Sequence, residues 1–205
     1  MKFDKNSLIK MAIVVITATP LFGICILFYT YAALGSDSLT VFEEGLSHFF
    51  HISLGDAAII YNVASVVIGF LFARKYIGLT TVVNALLIGF CVNLFEPYLK
   101  PFLTLSDSIP FRAFVFLVGL LTCCLGCAIL IFGESGMSAM DAFATRIADL
   151  LHKEYRYVRI GCDAVAMLVG WLMGGVVGVG SIIATFGTGP LISFMVDKLK
   201  RVFNS

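Results

Sequence analysis

The sequence has little charge. Only 13% of its 205 residues are Asp, Glu, Lys or Arg, whereas 60% are hydrophobic. Soluble domains carry about a quarter charged residues, so a chain this apolar has too little polar surface to cover a soluble core. The composition therefore excludes a soluble globular domain. It predicts an all-helical integral membrane protein in which residues 1–205 form a single domain in the lipid bilayer.

Several functional signatures are also missing. There is no basic stripe, the net charge is +1 and the pI is about 7.6, so a nucleic-acid partner is not expected. No phosphate-binding loop, dinucleotide fingerprint or Ser-His-Asp set occurs, so we expect neither an enzyme nor a cofactor. The six cysteines all fall inside apolar runs and do not resemble a disulfide framework.

Apolar runs of spanning length fill most of the chain. A membrane-crossing helix needs about 20 mostly apolar residues. The first run follows Lys2, Lys5 and Lys10 and is too long for the apolar region of a cleaved signal peptide, so it predicts an uncleaved first span. Six predicted spans are Leu8–Ala33, Gly55–Ala73, Gly78–Leu99, Pro110–Phe132, Tyr157–Met173 and Gly178–Lys198.

Two shorter segments, Leu39–Phe50 and Met137–Leu151, are amphipathic and too charged to cross. Apolar residues recur in each at helical spacing, and polar residues such as Glu43 and Asp141 fall between them. Each segment is predicted to be a helix that lies at the membrane interface or dips partway in as a re-entrant helix. Ser38 and Ser138 are the predicted N-cap residues.

The chain repeats itself. His51 matches His152, Asn62 matches Asp163 and Gly69 matches Gly170, each pair 101 positions apart. Residues 8–99 and 110–199 therefore form two repeats, each with three spans and one amphipathic helix. Because three is an odd number, the second repeat enters the membrane from the opposite side. This predicts two inverted repeats, an architecture common among transporters.

Basic residues set the expected orientation. With the N-terminus in the cytoplasm, 12 of the 14 Lys and Arg residues fall on the inner side, and only Lys100 and Arg112 fall outside. Cytoplasmic loops carry such an excess. We therefore expect both termini to lie in the cytoplasm.

Several motifs resemble those of the YczE/YyaS/YitT family of bacterial membrane proteins. The loop Gly35–Ser47 is similar to the family's segment after the first span. The runs Asn84–Gly89 with Asn93–Phe95, and Gly178–Ser181 with Gly189–Pro190, are similar to its third and sixth spans. The chain lacks the soluble C-terminal domain of the YitT branch, and so resembles the YczE-like branch. The resemblance implies a bacterial plasma-membrane protein with six helices, and it supplies no functional residues.

Asp163 is the sharpest candidate for a functional residue, because an ionisable group inside a span is costly and should face the bundle interior or water. It is either a proton, cation or substrate site, or the ion-pair partner of Arg159 four residues earlier. Asn62 is its repeat mate. Asn62 either forms the opposite wall of one cavity with Asp163 or makes an ordinary hydrogen bond between helices.

Polar residues on the third and sixth spans complete the predicted substrate site. They line a small cavity between the repeats, or they serve close helix packing. The predicted set is Asp163, Asn62, Thr81, Asn84, Ser181, Thr185 and Thr188. Predicted hinges or helix breaks, by analogy with the broken helices of transporters, are Gly78, Gly178, Gly180, Gly187, Gly189 and Pro190.

Two further motifs carry weaker chemistry. Glu44, His48 and His51 share one helical face. They either bind a metal ion such as zinc or form the solvated polar side of an amphipathic helix. No fourth ligand is evident, so no metal is expected. Cys124 and Cys127 have redox spacing, but lie mid-span, where small thiols serve packing.

The repeat and the paired polar positions predict a small transporter or permease for a polar small molecule or ion, in which the two repeats rock against each other. Two alternatives stay open. One is a substrate-binding membrane subunit of a multi-component transporter, and the other is an accessory or regulatory membrane protein without transport. The substrate is unknown, and a homodimer is expected only by analogy with other small bundles.

Overall fold

We describe a computed structural model covering residues 5–73, 79–132 and 138–203. This part of the chain contains eight α-helices and no β-strand. The helices are α1 (Lys5–Ala32), α2 (Ser38–Phe50), α3 (Leu54–Ala73), α4 (Leu79–Leu103), α5 (Ile109–Phe132), α6 (Ala139–Leu151), α7 (Tyr155–Leu172) and α8 (Val179–Phe203). The predicted all-helical fold is confirmed, and each predicted segment corresponds to one helix.

Five of the described helices are long and apolar enough to cross a membrane. The segments are Ala12–Ala32, Leu54–Phe72, Thr81–Leu103, Ile109–Phe132 and Val179–Arg201. Helix α7, the fifth predicted span, is not among them. It has 18 residues and carries Arg156, Arg159 and Asp163, which lower its hydropathy.

The two short helices α2 and α6 have the same build. Each is 13 residues long, and each ends at a histidine in the left-handed conformation, His51 at φ 54° and His152 at φ 50°. Ser138 caps α6 as predicted, since its side chain accepts a hydrogen bond from the backbone N–H of Asp141. The prediction for α2 was wrong by one residue, because its cap is Asp37, whose carboxylate accepts from Thr40. Asp37 is the position 101 residues before Ser138.

Helix α1 lies at the centre of the fold and packs against α4 and α5. Its Leu27 and Tyr29 are almost completely buried. Gly119 of α5 lets the two backbones approach closely, because a Cβ there would lie 2.9 Å from the Cβ of Phe28. Arg112 of α5 donates hydrogen bonds to the last carbonyls of α1, those of Ala32 and Ala33, which have no partner within the helix.

Most helix contacts occur in pairs that correspond between the two halves of the chain. Helices α1 to α4 of the first half correspond to α5 to α8 of the second. The contact of α1 with α4 has its counterpart in α5 with α8. Likewise α2 with α7 matches α6 with α3, and α2 with α3 matches α6 with α7. The extensive packing of α3 on α4 has no equal between α7 and α8. The halves are therefore built alike, except that α7 and α8 are further apart.

Helix α2 runs alongside α7 in the same direction. Ser38 contacts Asp163 in the middle of α7, and His48 contacts the carbonyl oxygen of Gly174 just beyond the end of α7. Between them, Gly170 lies so close to α2 that an added Cβ would be 2.6 Å from the Cα of Phe42. The N-terminus of α2 therefore lies inside the protein, and its C-terminus reaches the end of α7.

This position overturns one expectation for α2. Glu43 and Glu44 were predicted on a polar face around the apolar positions, but they are only 3% and 4% exposed. The exposed end of the helix carries Phe49 and Phe50 instead. The polar face points inward because α7, α3 and α1 cover it, whereas the apolar end faces outward, as expected for a surface in contact with lipid.

The predicted unwound break at Gly187, Gly189 and Pro190 is not observed, since α8 is continuous from Val179 to Phe203. Hydroxyl groups of Thr188 and Ser193 donate back to carbonyls one turn earlier. A role of the three residues as a hinge or kink stays a prediction.

The glycines before α8 make close backbone contacts. The N–H of Gly180 donates to the carbonyl of Leu34 at 2.8 Å. A Cβ on Gly178 would lie 2.5 Å from that same oxygen. Both residues therefore hold the start of α8 against the loop before α2, and their role as hinges stays a prediction. Gly78 lies outside the described residues.

Candidate functional site

Asp163 holds the N-terminus of α2. Its Oδ1 accepts a hydrogen bond of 2.7 Å from the hydroxyl of Ser38, and its Oδ2 accepts one of 3.0 Å from Nε of Arg159. The Arg159 contact is the ion pair expected from their spacing of four residues. The Ser38 contact joins residues 125 positions apart, so no local pattern indicated it.

The same arginine holds the N-terminus of α6. Arg159 also forms a close ion pair with Asp141 in the first turn of α6. The hydroxyls of Tyr155 and Ser138 donate to the Asp141 carboxylate at 2.6 and 2.8 Å. A helix N-terminus carries a partial positive charge, which carboxylates stabilise.

A continuous polar chain therefore joins the starts of the two short helices. It runs from Ser38 through Asp163, Arg159 and Asp141 to Ser138. Members of both repeats meet in it. Side chains of Arg159, Asp141 and Asp163 are between 24% and 35% exposed, so water reaches the charged groups. We call this set the Asp163 network.

Asn62, the repeat mate of Asp163, contacts a residue that sequence reasoning had not singled out. Its amide nitrogen donates to Oε1 of Glu43 at 3.2 Å and to the carbonyl of Ala58 at 2.8 Å. Burial raises the pKa of Glu43 to about 8, with nearby Asp37 adding to the rise and the Asn62 hydrogen bond opposing it. One signal was available, because an amide inside an apolar span needs a polar partner from another helix.

Glu44, the next residue, has a different environment. Its Oε2 accepts a hydrogen bond of 2.9 Å from the backbone N–H of Val176, in the connection between α7 and α8. Burial raises the pKa of Glu44, while this N–H and nearby His48 favour the charged form. Glu44 therefore fixes the α7–α8 connection against α2.

The other predicted substrate-binding residues lie in separate places. The amide oxygen of Asn84 faces α1, where it accepts from Thr19 at 2.6 Å. Thr81 and Ser181 are buried. Thr185 and Thr188 donate to carbonyls of their own helix. None of these hydrogen bonds joins the third and sixth spans across one cavity, and the substrate-binding role of these residues stays a prediction.

The proposed metal ligands do not assemble. Glu44 binds a backbone N–H, His48 binds the carbonyl of Gly174, and His51 is the exposed C-cap of α2. Within residues 5–73, 79–132 and 138–203, no group of three His, Cys, Asp or Glu residues is arranged to hold a metal ion.

An open cavity of about 1230 Å³ lies between α3, α6 and α7, and Phe42 of α2 closes its inner end. Its walls are largely apolar, with Tyr61 and Ser65 on α3 and Gly161 and Cys162 on α7. His152, Lys153 and Glu154 line it where α6 joins α7. Phe42 and Tyr61, which line the cavity, are followed directly in the sequence by Glu43 and Asn62.

Apolar helices of spanning length surrounding a buried polar network define an all-helical membrane protein. Within that class, the chain belongs to a family of unknown function, DUF6198, whose model matches residues 9–197. The predicted resemblance to YczE-like proteins is confirmed.

Two relatives carry the likeness. The chain is 25% identical over 174 residues to the "Uncharacterized membrane protein YczE" of Bacillus subtilis, covering 84% of this chain and 78% of that protein. It is 24% identical over 171 residues to an "Uncharacterized protein" of Haemophilus influenzae, covering 83% and 76%. No solved structure matches the chain significantly.

Proposed function

We propose that this protein is a small transporter of a polar small molecule or ion, built from two inverted three-span repeats. The paired helix contacts support the repeat, because three kinds of contact in one half have a counterpart in the other. The matching short helices, with equal lengths and left-handed histidine caps, support it as well. Inverted repeats with sites at their interface are typical of secondary transporters.

The observation that carries the proposal is the Asp163 network. It brings the N-termini of α2 and α6, one from each repeat, onto a shared set of charges inside the protein. Converging ends of short membrane helices form ion and substrate sites in transporters of this kind. In the proposed cycle, rocking of the repeats breaks and reforms the contacts of Arg159 with Asp141 and Asp163.

The proposed orientation places both chain ends in the cytoplasm of a bacterial cell. The charge distribution supports it, because the connection between α4 and α5 carries acidic Asp107, whereas that between α6 and α7 carries Lys153. For α7 to cross, its charges must be neutralised. The ion pairs of Arg159 with Asp141 and Asp163 neutralise two of the three charged side chains of α7, those of Arg159 and Asp163.

Flux measurements test the proposal. The purified protein in liposomes is offered a panel of labelled amino acids, sugars and inorganic ions. We expect uptake of at least one, and Asp163→Asn to lower its rate by about tenfold, which corresponds to a barrier increase of about 1.4 kcal/mol. Asp197→Asn, at an exposed position on α8, is the matched control. Absence of uptake across the panel contradicts transport, and unchanged uptake by Asp163→Asn removes the role of Asp163.

A further inference from the structure

Two pairs of consecutive residues meet where α2 contacts α3. On one side, the rings of Phe42 and Tyr61 pack with their centroids 5.4 Å apart, and both rings line the cavity. On the other side, Glu43 accepts the hydrogen bond from Asn62. We call the two packed rings the Phe42–Tyr61 layer. The buried Glu43 and its partner Asn62 are the residues that directly follow these rings on α2 and α3.

Glu43 has no positive charge beside it. It is 3% exposed, and among the described residues no cation forms an ion pair with it. The titratable groups that face it are Asp37 at the start of α2, Tyr61 on α3 and Cys25 on α1.

Arg159 of α7 does not neutralise Glu43, since it forms ion pairs with Asp141 and Asp163 instead. A buried carboxyl without a cation is stabilised in its neutral form, because transfer of the charged form out of water is costly. The raised pKa of Glu43, about 8, agrees with a carboxyl that exchanges its proton near neutral pH.

We propose that Glu43 is a proton-binding site that exchanges its proton with water in the cavity across the Phe42–Tyr61 layer. On release, the O–H bond of the carboxyl breaks and the proton passes to a water molecule. The carboxylate that remains keeps its hydrogen bond from Asn62. Uptake is the reverse of this step.

The site deepens the proposed function, on which its role in transport rests, by naming the proton as the coupling ion. Proton binding itself can be measured without any transported solute. Failure of the flux assay therefore leaves the proton site standing, and failure of the tests below leaves transport standing.

Infrared spectroscopy of the purified full-length protein tests the protonation. At neutral pH we expect the absorption of a protonated carboxyl group, which disappears in Glu43→Gln. Glu44→Gln is the matched control, because Glu44 is equally buried but accepts a backbone N–H. Asn62→Leu should retain the absorption and shift its frequency, since the carbonyl loses a hydrogen-bond donor. Persistence of the whole absorption in Glu43→Gln, or its absence from the wild-type protein, overturns the proposal.

The route is tested by exchange into heavy water. A Cβ at Gly161 meets nothing within 4 Å, so Gly161→Leu places its side chain in the cavity without a clash. We expect it to slow deuterium exchange of the Glu43 carboxyl by about tenfold. Gly189→Leu, at an equally open position on α8 outside the cavity lining, is the control. Equal exchange rates in the two variants overturn the proposed route.

Discussion

Single residues decide how this protein places charge in its interior. Glu43 and Glu44 are neighbours and equally buried, yet one accepts a side-chain amide and the other a backbone N–H. The backbone N–H of Val176 and nearby His48 both lower the pKa of Glu44. For Glu43, the Asn62 amide lowers the pKa, whereas nearby Asp37 raises it. The two residues therefore differ in chemistry although the sequence places them side by side.

Stability should depend on pH through Glu43. Its pKa rises from 4.5 to about 8 on folding, so the folded protein binds this proton more tightly than the unfolded chain. The contribution is complete below about pH 4.5 and is lost as pH rises through about 8, a loss of about 5 kcal/mol. Unfolding of detergent-solubilised protein measured across this range should show a shallower decline for Glu43→Gln. Identical pH profiles for the variant and the wild-type protein contradict this prediction.

Removal of the Asp163 carboxylate should destabilise the fold. Asp163→Ala leaves the Ser38 hydroxyl and one side of Arg159 without their partner. Because the Asp163 side chain is 32% exposed, water screens part of the loss, and we expect a cost of about 1–2 kcal/mol. Thermal unfolding measures it. Asp163→Asn keeps an acceptor for Ser38 and should cost less, so an equal or larger loss for Asn would contradict the prediction.

The stability and packing of whole helices depend on the backbone conformation at their ends and on the points where they touch. The short helices α2 and α6 each end at a left-handed histidine, which is strained because only glycine adopts this conformation freely. The strain recurs at the same repeat position. It lets each short helix turn sharply into the next long helix.

Glycine at these caps should stabilise the protein. His51→Gly and His152→Gly each relieve the left-handed strain, and we expect a gain of about 1 kcal/mol for each in thermal unfolding. His48→Gly, inside α2, is the control and should be destabilising because glycine weakens helix interiors. A loss of stability in both cap variants would show that these histidine side chains have a role that outweighs the backbone strain.

Contact between α2 and α7 requires glycine. A Cβ at Gly170 would meet the backbone of Val41 and Phe42 at 2.6 Å, and neither can move without displacing α2. Gly170→Ala should therefore cost about 3 kcal/mol or prevent folding. Gly161→Ala on the same helix has open space around it and should change stability by less than about 1 kcal/mol. Equal expression and melting of the two variants would contradict this account of α7.

At the scale of the whole molecule, most helix contacts in one half of the chain have a counterpart in the other. The contact of α3 with α4 and the small contact of α1 with α2 have no counterpart of similar extent. Helix α7, which corresponds to α3, borders the open cavity instead. The difference between the halves therefore leaves accessible space beside α7.

Side-specific labelling tests the proposed orientation. Asp107→Cys in the α4–α5 connection should react with an impermeant thiol reagent applied to intact cells, whereas Glu154→Cys in the α6–α7 connection should react only after the cells are opened. The wild-type protein, whose six cysteines lie in helices, measures background labelling. Reaction of both positions from the same side would contradict the proposed orientation, in which α5 crosses the membrane between them.

The sequence alone determined the class of protein, the order of its helices and most of their limits. Apolar run length and helical periodicity depend on neighbouring residues, and these are visible in one dimension. The predicted segment Leu39–Phe50 is helix Ser38–Phe50, and Pro110–Phe132 is Ile109–Phe132. Matching histidines at positions 51 and 152 likewise marked two helix ends, although not their left-handed conformation.

The polar site residues were predicted without their partners. Asp163, Asn62 and Asn84 each contact a polar side chain of another helix, whereas Thr185 donates to a carbonyl of its own helix. Their role in substrate binding stays a prediction. Only the tertiary structure decided that Glu43 is buried and that Ser38 reaches Asp163. Periodicity reports which residues share a face of one helix, but it does not report which helix covers that face. Burial of a charged side chain depends on that second helix, and so does its pKa.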